Sequence, residues 1–261
     1  MQSTPKRSLP QRLRSLRNRL SLHISNRIRF SRGDFVEQAC DQLLMSDANL
    51  SSRIAALRLK YGACFEAHLT QETSLNNYAY LDMLDRAWSA VEETPPQGCV
   101  MSDVGCASFW YAAAMQTFFR PRRLTGYELE AFRRYADGHT RQDYARGYAR
   151  VWPETTFLGM DYRRVNESAE LITCWFPFVS ADPIIAWGLP LNLLKPKELF
   201  STIATNLSAG GGFFMVNHGR VEAQIAADLC AGAGLTRQWQ WIDPSPLRPR
   251  PQPPVASYWQ H

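Results

Sequence analysis

The sequence predicts an α/β fold: a mostly parallel sheet with helices on both faces, closed by an antiparallel hairpin and preceded by a helical extension. Three observations predict it. Residues 100–128 read as a short apolar strand, a turn carrying an acid and a glycine, a helix, and a second strand ending in an acid, which is the first half of a nucleotide-binding βαβ unit. Further apolar runs at 155–161, 169–179 and 208–217 are separated by helical patterns, as parallel strands with crossover helices require. The last two runs, 236–242 and 256–259, flank a proline-dense stretch at 244–254 that suits an extended hairpin loop.

The charge of the chain is unevenly placed. Residues 1–33 hold nine Lys or Arg and no Asp or Glu, so of 29 basic and 24 acidic residues the remainder keeps 20 against 24, a net of −4. The basic balance belongs to this N-terminal arm, and it says little about the globular part. With 261 residues, 45% apolar and 20% charged, the chain can bury a full core, and no uncharged apolar run reaches the roughly 18 residues that span a bilayer. Cys40, Cys64, Cys99, Cys106, Cys174 and Cys230 lack metal-ligand spacing, which predicts a reduced, cytoplasmic protein without a metal site.

Three segments follow: a basic amphipathic arm at 1–33, a helical cap at 34–94 and an α/β domain at 95–261. In the arm, Leu9, Leu13, Leu16, Leu20, Ile24 and Ile28 recur at spacings of four and three, so a helix would carry one apolar stripe away from Arg12, Arg14, Arg19 and Arg29. Such a helix suits an anionic membrane surface, where the protein would be peripheral, a protein partner's groove, organelle import, or closure over the domain's own core. Nucleic acid suits it poorly, because only Phe30 interleaves an aromatic ring. Residues 34–93 read as helical throughout, with Phe35, Ala39, Leu43 and Leu44 on one face, Ile54, Leu57, Leu59 and Tyr61 on a second, and Tyr80, Leu81, Leu84, Trp88 and Val91 on a third. Pro95 and Pro96 stop the last helix.

Within 100–128, Gly105 permits a tight turn, and the following helix N-terminus directs unpaired N–H groups at a polar ligand. Glu128, 23 residues beyond Gly105, falls where such units place a carboxylate for two ribose hydroxyls. With Asp103 it frames a site for a cationic or hydroxyl-rich small molecule better than for a polyphosphate. Arg133, Arg134, Arg141, Arg146 and Arg150 follow, in a stretch interrupted by Gly138 and Gly147; they read as a solvated charged face, with an anionic substrate as the functional alternative. The third strand ends at Asp161, and the fourth runs into an aromatic loop that puts Cys174, Trp175 and Phe176 at the carboxyl edge of the sheet. Residues 183–196 read as a lid, 197–207 as a helix, Gly210, Gly211 and Gly212 as a turn into the strand ending at Asn217, and 221–233 as a helix. His139 and His218 are the available imidazoles, and catalytic residues stay unassigned.

Asp103-Val104-Gly105-Cys106, followed by Gly126-Tyr127-Glu128, resembles the first two motifs of class I S-adenosylmethionine-dependent methyltransferases, with Ala107 and Phe109 where that family usually has further glycines. Asp161 matches the acid of the third motif, and the helix, glycine turn, strand and asparagine of 197–217 are similar to the fifth strand. The resemblance covers about residues 95–258. It implies a Rossmann-like sandwich with a seven-stranded sheet, S-adenosylmethionine as cofactor, and Asp103, Gly105, Ala107, Glu128, Asp161, Cys174 and Trp175 as cofactor-binding residues. Glu128 would hold the ribose and Asp161 the adenine amine. The implied activity is methyl transfer to a small-molecule or lipid-associated acceptor; the alternative, favoured by Ala107 and Phe109, is a catalytically inactive binding or scaffold protein.

Overall fold

The apolar runs form one sheet. Its strands are β1 (Val100–Val104), β2 (Arg123–Tyr127), β3 (Thr155–Leu158), β4 (Ala169–Trp175), β5 (Leu207–Asn217), β6 (Thr236–Ile242) and β7 (Val255–Gln260). They lie in the order β3-β2-β1-β4-β5-β7-β6, parallel except for β7, which runs antiparallel to both β5 and β6. This is the Rossmann-like, seven-stranded architecture that the resemblance implied. The computed structural model describes residues 9–45 and 47–261, so the first eight residues of the basic arm lie outside the described residues.

Strand alternation sorts the core into two layers. Met101, Leu124, Leu171, Phe214 and Val216 face a layer that includes α3 (Gln71–Ala90) and α4 (Ala112–Phe119). Ile172, Phe213 and Met215 face the other, with α7 (Pro196–Asn206) and α8 (Gly219–Gly232). The remaining helices are α1 (Leu9–Ile28), α2 (Ala48–Tyr61), α5 (Arg141–Ala149) and α6 (Ala181–Trp187). Among the described residues, no helix is long and apolar enough to cross a membrane.

The cap differs from the sequence expectation. It is α2, a short 3-10 turn at Phe65–Ala67 and α3, while the described residues of 29–47 form no helix. Phe35, Ala39, Leu43 and Leu44 therefore share no helical face. Tertiary partners outweigh local propensity here: the N–H of Phe35 donates to Asp143 O at 2.9 Å, that of Arg32 to the Asp143 carboxylate at 3.1 Å, and that of Cys40 to Glu66 O at 3.2 Å. The Phe35 ring lies 4.1 Å from that of Tyr144 on α5.

Gly147, expected to interrupt a helix, sits inside α5 and permits this crossing. A Cβ there would stand 1.8 Å from Phe35 O, a backbone atom. Gly147→Ala should gain about 1 kcal/mol of helix propensity, yet overpacking of this kind costs about 1–3 kcal/mol. The clash wins, and the expected result is a lower melting temperature with faster proteolytic cleavage within 29–45.

The triple glycine also lies elsewhere than expected. It is not a turn ahead of a strand, because β5 begins at Leu207 and bulges, its pairing with β4 passing from Ala169↔Leu207 to Leu171↔Gly212. Gly212 leaves room for the Tyr258 hydroxyl, which a Cβ would meet at 1.9 Å.

Candidate functional site

A cavity of about 400 Å³ opens beyond the carboxyl ends of β1, β2 and β4. Open α/β sheets bind ligands at this edge. The loop after β1 forms its floor. Gly105, Ala107 and Phe109 all have positive φ, at 73°, 52° and 57°. The backbone thus keeps a left-handed residue at each alternate position, although two of the three carry side chains that disfavour it.

The surroundings hold that shape. The N–H groups of Gly105 and Cys106 donate to Tyr127 O at 2.9 and 3.1 Å, and the Ala107 N–H donates to Glu128 Oε2 at 2.9 Å. Phe109 is fully buried and turned out of the crevice. Its ring lies over Gly126 of β2, where a Cβ would come 2.8 Å from Phe109 Cε1 and from Cys106 Sγ. A glycine missing from the loop is matched by one in the neighbouring strand.

One expectation about the loop is corrected. The helix N-terminus does not offer free N–H groups beside Gly105, because α4 begins only at Ala112 and Asn77 Oδ1 accepts from Ala114 N–H at 2.9 Å. The floor of the crevice is loop backbone instead.

Of the residues singled out from sequence, Gly105, Ala107, Glu128, Asp161, Cys174 and Trp175 line the crevice. Asp103 stands behind its wall, fully buried, accepting hydrogen bonds at 2.6 Å from both Tyr111 Oη and Thr173 Oγ1. Burial pushes its pKa up to about 6; the two hydrogen bonds oppose the rise and the charge of Glu128 adds to it. Asp161 faces the crevice but caps the 3-10 turn Tyr162–Arg164 and pairs with Arg163 at 2.5 Å. Burial raises its pKa, and the Arg163 bonds more than offset that, holding it below the ordinary value. The Cys174 thiol is pushed far up by burial and next by the charge of Asp103, which leaves it no thiolate character.

Glu128 is held for recognition. Besides the Ala107 N–H, it accepts from Glu130 N–H through Oε1 at 2.7 Å, and these two bonds leave lone pairs on both oxygens for a ligand's hydroxyls. Beneath it lies Arg141, which the sequence reading placed on a solvated face. Arg141 is 3% exposed, with Nη1 2.9 Å from Glu130 Oε2 and 3.4 Å from Glu128 Oε1, a charge contact without hydrogen-bond alignment. Its guanidinium lies 5.1 Å from the centroid of the Trp187 ring, and Arg133 Nη1 donates to Trp187 O at 2.5 Å. The expected lid is therefore tied to the carboxylates below it. It consists of α6 and the 3-10 turn Leu191–Leu193, and Ile184, Trp187, Leu189 and Leu193 line the crevice.

The other end of the crevice is aromatic and basic. Tyr80 stacks on Tyr111 at 4.5 Å and packs on Trp175 at 4.3 Å. The Trp175 indole N–H is buried with no acceptor among the described residues. The Phe176 ring stacks on His218, 4.1 Å away at 14°, and the Arg250 guanidinium lies 4.4 Å from its centroid. Burial, then the charge of Arg250, lowers the His218 pKa and keeps the imidazole neutral near pH 7. His139 lies apart, against Asp137 at 2.9 Å.

Sequence reasoning missed Arg141, Arg250 and Tyr80. For Arg141 a signal exists: Thr140 and Asp143 form a capping box, which fixes a helix start and sets Arg141 in its first turn. Arg250 reaches the site from the proline-dense loop between β6 and β7, and no local pattern marks it.

No protein-family model matches the chain, and no curated protein sequence matches it at a significant level. Solved structures of similar shape include an S-adenosylmethionine-dependent methyltransferase from Clostridium acetobutylicum, 8% identical, covering 81% of this chain and 98% of that one with a TM-score of 0.48. Another is the magnesium protoporphyrin IX methyltransferase of Synechocystis with bound S-adenosylmethionine, 12% identical, covering 81% and 91% with a TM-score of 0.46. A Mesorhizobium loti S-adenosylmethionine-dependent methyltransferase is 13% identical over 68% of this chain and 100% of its own, with a TM-score of 0.47. These are likenesses of shape alone.

Proposed function

We propose that the crevice binds S-adenosylmethionine and that the chain transfers its methyl group to an acceptor held under the lid. The observation that carries this reading is the loop after β1: of its three alternate left-handed positions, Gly105 and Ala107 line the crevice floor, and Glu128, which braces Ala107, keeps lone pairs for a ribose. The residues present fit the cofactor. Glu128 would take the ribose hydroxyls, Leu129 and Met160 would flank the adenine with Asp161 at its edge, and the aromatic wall of Tyr80, Tyr111 and Trp175 suits a sulfonium. When bound, the cofactor supplies an electrophilic methyl group.

The protein's own contribution is placement and exclusion of water. Trp187, Leu189 and Leu193 roof the crevice, and neutral His218 can accept a proton from an acceptor hydroxyl or amine. Arg250 has no carboxylate partner among the described residues, unlike Arg248 of the same loop, which pairs with Glu72 at 2.6 Å. An uncompensated guanidinium at the rim favours an acceptor with a carboxylate or phosphate, either a small molecule or a lipid-associated one.

One observation favours the second reading, an inactive binding protein. Asp103 and Asp161, two of the three assigned carboxylates, are already engaged by Tyr111, Thr173 and Arg163. Calorimetric titration separates the readings. S-adenosylmethionine and S-adenosylhomocysteine should both bind, and Glu128→Ala should weaken binding by about 1–3 kcal/mol, the loss of hydrogen bonds to a charged group. If neither nucleoside binds, the inactive reading replaces the enzymatic one; unchanged affinity in the variant removes the ribose assignment.

A further inference from the structure

We propose that α1 is a surface-binding helix that lays its leucine stripe into an anionic lipid bilayer. This rests on the outside of the molecule and is independent of the methyl-transfer reading. Leu9, Leu13, Leu16, Leu20, Ile24 and Ile28 are 46–70% exposed, so the stripe does not close over the domain's own core. At 3.6 residues per turn they fall within an arc of about 120°, which Arg17 and Arg27 share.

The opposite, polar face is the one that docks. Asn18 is buried, and its Nδ2 donates to Leu189 O at 3.1 Å; Ser15 Oγ accepts from Leu191 N–H at 2.9 Å; Gln11 Nε2 donates to Asp182 Oδ1 at 2.9 Å. An amphipathic helix in a soluble domain ordinarily buries its apolar face and shows its polar one. Here the arrangement is largely inverted: Leu22 and the polar side pack on the lid segment, and the other leucines and isoleucines are left outward. An outward apolar stripe set with arginines marks a binding surface.

Charge selects the occupant. Arg12, Arg14, Arg17, Arg19 and Arg27 have no carboxylate partner among the described residues, and the helix holds no acid. Arg12 and Arg19 border one flank of the stripe, where with Ser15, Leu191 and Asn192 they line a shallow cleft that suits a headgroup phosphate. A second copy of the helix would bring arginines against arginines. An anionic bilayer instead takes the leucines below its headgroups and the guanidinium groups among its phosphates.

Vesicle sedimentation tests this with the full chain. It should pellet with vesicles of phosphatidylcholine mixed with phosphatidylglycerol, stay in solution with phosphatidylcholine alone, and be released by added salt. Arg12→Gln with Arg19→Gln should weaken binding roughly 25-fold, about fivefold per charge. Leu13→Ser with Leu20→Ser should abolish it without lowering the melting temperature, since both side chains are 60% exposed. The proposal is overturned if the chain ignores anionic vesicles at low salt or if the leucine variant binds them as well as the native chain. It is equally overturned if ultracentrifugation shows a dimer that the leucine substitutions dissolve, which would assign the stripe to a second copy.

Discussion

Replacing Arg141 by alanine should cost about 3–5 kcal/mol of folding stability, the scale for breaking a buried charge network by removing one partner. An exposed ion pair is worth about 0–1 kcal/mol. The difference is burial: Arg141 is 3% exposed and faces two carboxylates, Glu128 and Glu130, that are nearly as enclosed. Without it both would stand close together with only Arg133 near Glu130. The loss should depend on pH. Burial already raises the Glu130 pKa, Arg141 holds it down, and Glu128 pushes it up. A carboxylate whose folded pKa exceeds its unfolded value stabilises the fold below the unfolded pKa and loses that contribution as pH rises through the folded one. Taking Arg141 away moves that pKa further up, so urea unfolding should show a larger deficit near about pH 8 than near about pH 5. Adding Glu130→Gln to the variant should recover part of the deficit at the higher pH. A deficit independent of pH would mean that the loss is one of packing.

Phe109→Ala should cost a similar amount, about 3–5 kcal/mol, because a fully buried ring leaves a cavity that the surrounding strands cannot collapse into. The reciprocal change, Gly126→Ala, sets a Cβ 2.8 Å from Phe109 Cε1 and should cost about 1–3 kcal/mol by overpacking. Because the two side chains occupy one space, the double variant should lose less than the sum of the single losses. Some cost remains, since Cys106 Sγ is equally close to that Cβ. Phe109→Gly should be more stable than Phe109→Ala by about 1 kcal/mol, the relief of a left-handed φ that alanine still bears. Chemical denaturation of the native chain and the four variants measures all three comparisons.

The periodic parts of the fold were legible before any coordinates. β6 and β7 fall within a residue of their expected bounds, and α7 and α8 within two. What could not be read was set by contacts distant in sequence. The 29–45 segment carries a helical apolar pattern but spends its backbone groups on Asp143 and Glu66. Arg141 sits in a stretch as charged as any surface, and only its place under Glu128 takes it out of solvent. The loop after β1 shows the same limit from the other side. Two of its three positions lack the residue that favours a left-handed backbone, and the conformation persists because Tyr127, Glu128 and Gly126 enforce it. Asp103, adjacent to that loop, turned inward for a reason equally remote: Thr173 is 70 residues away in the chain.

The position of β7 has a kinetic consequence. This strand is made after β6, yet it lies between β5 and β6, and β6 hydrogen-bonds to no other strand. Residues 236–242 therefore wait unpaired until 255–260 arrive, and β5 keeps an open edge for the same interval. Non-local pairing of this sort slows folding and leaves intermediates prone to aggregation. Since β6 joins the sheet only through β7, the sheet is complete only when β7 has paired with β5 on one side and β6 on the other.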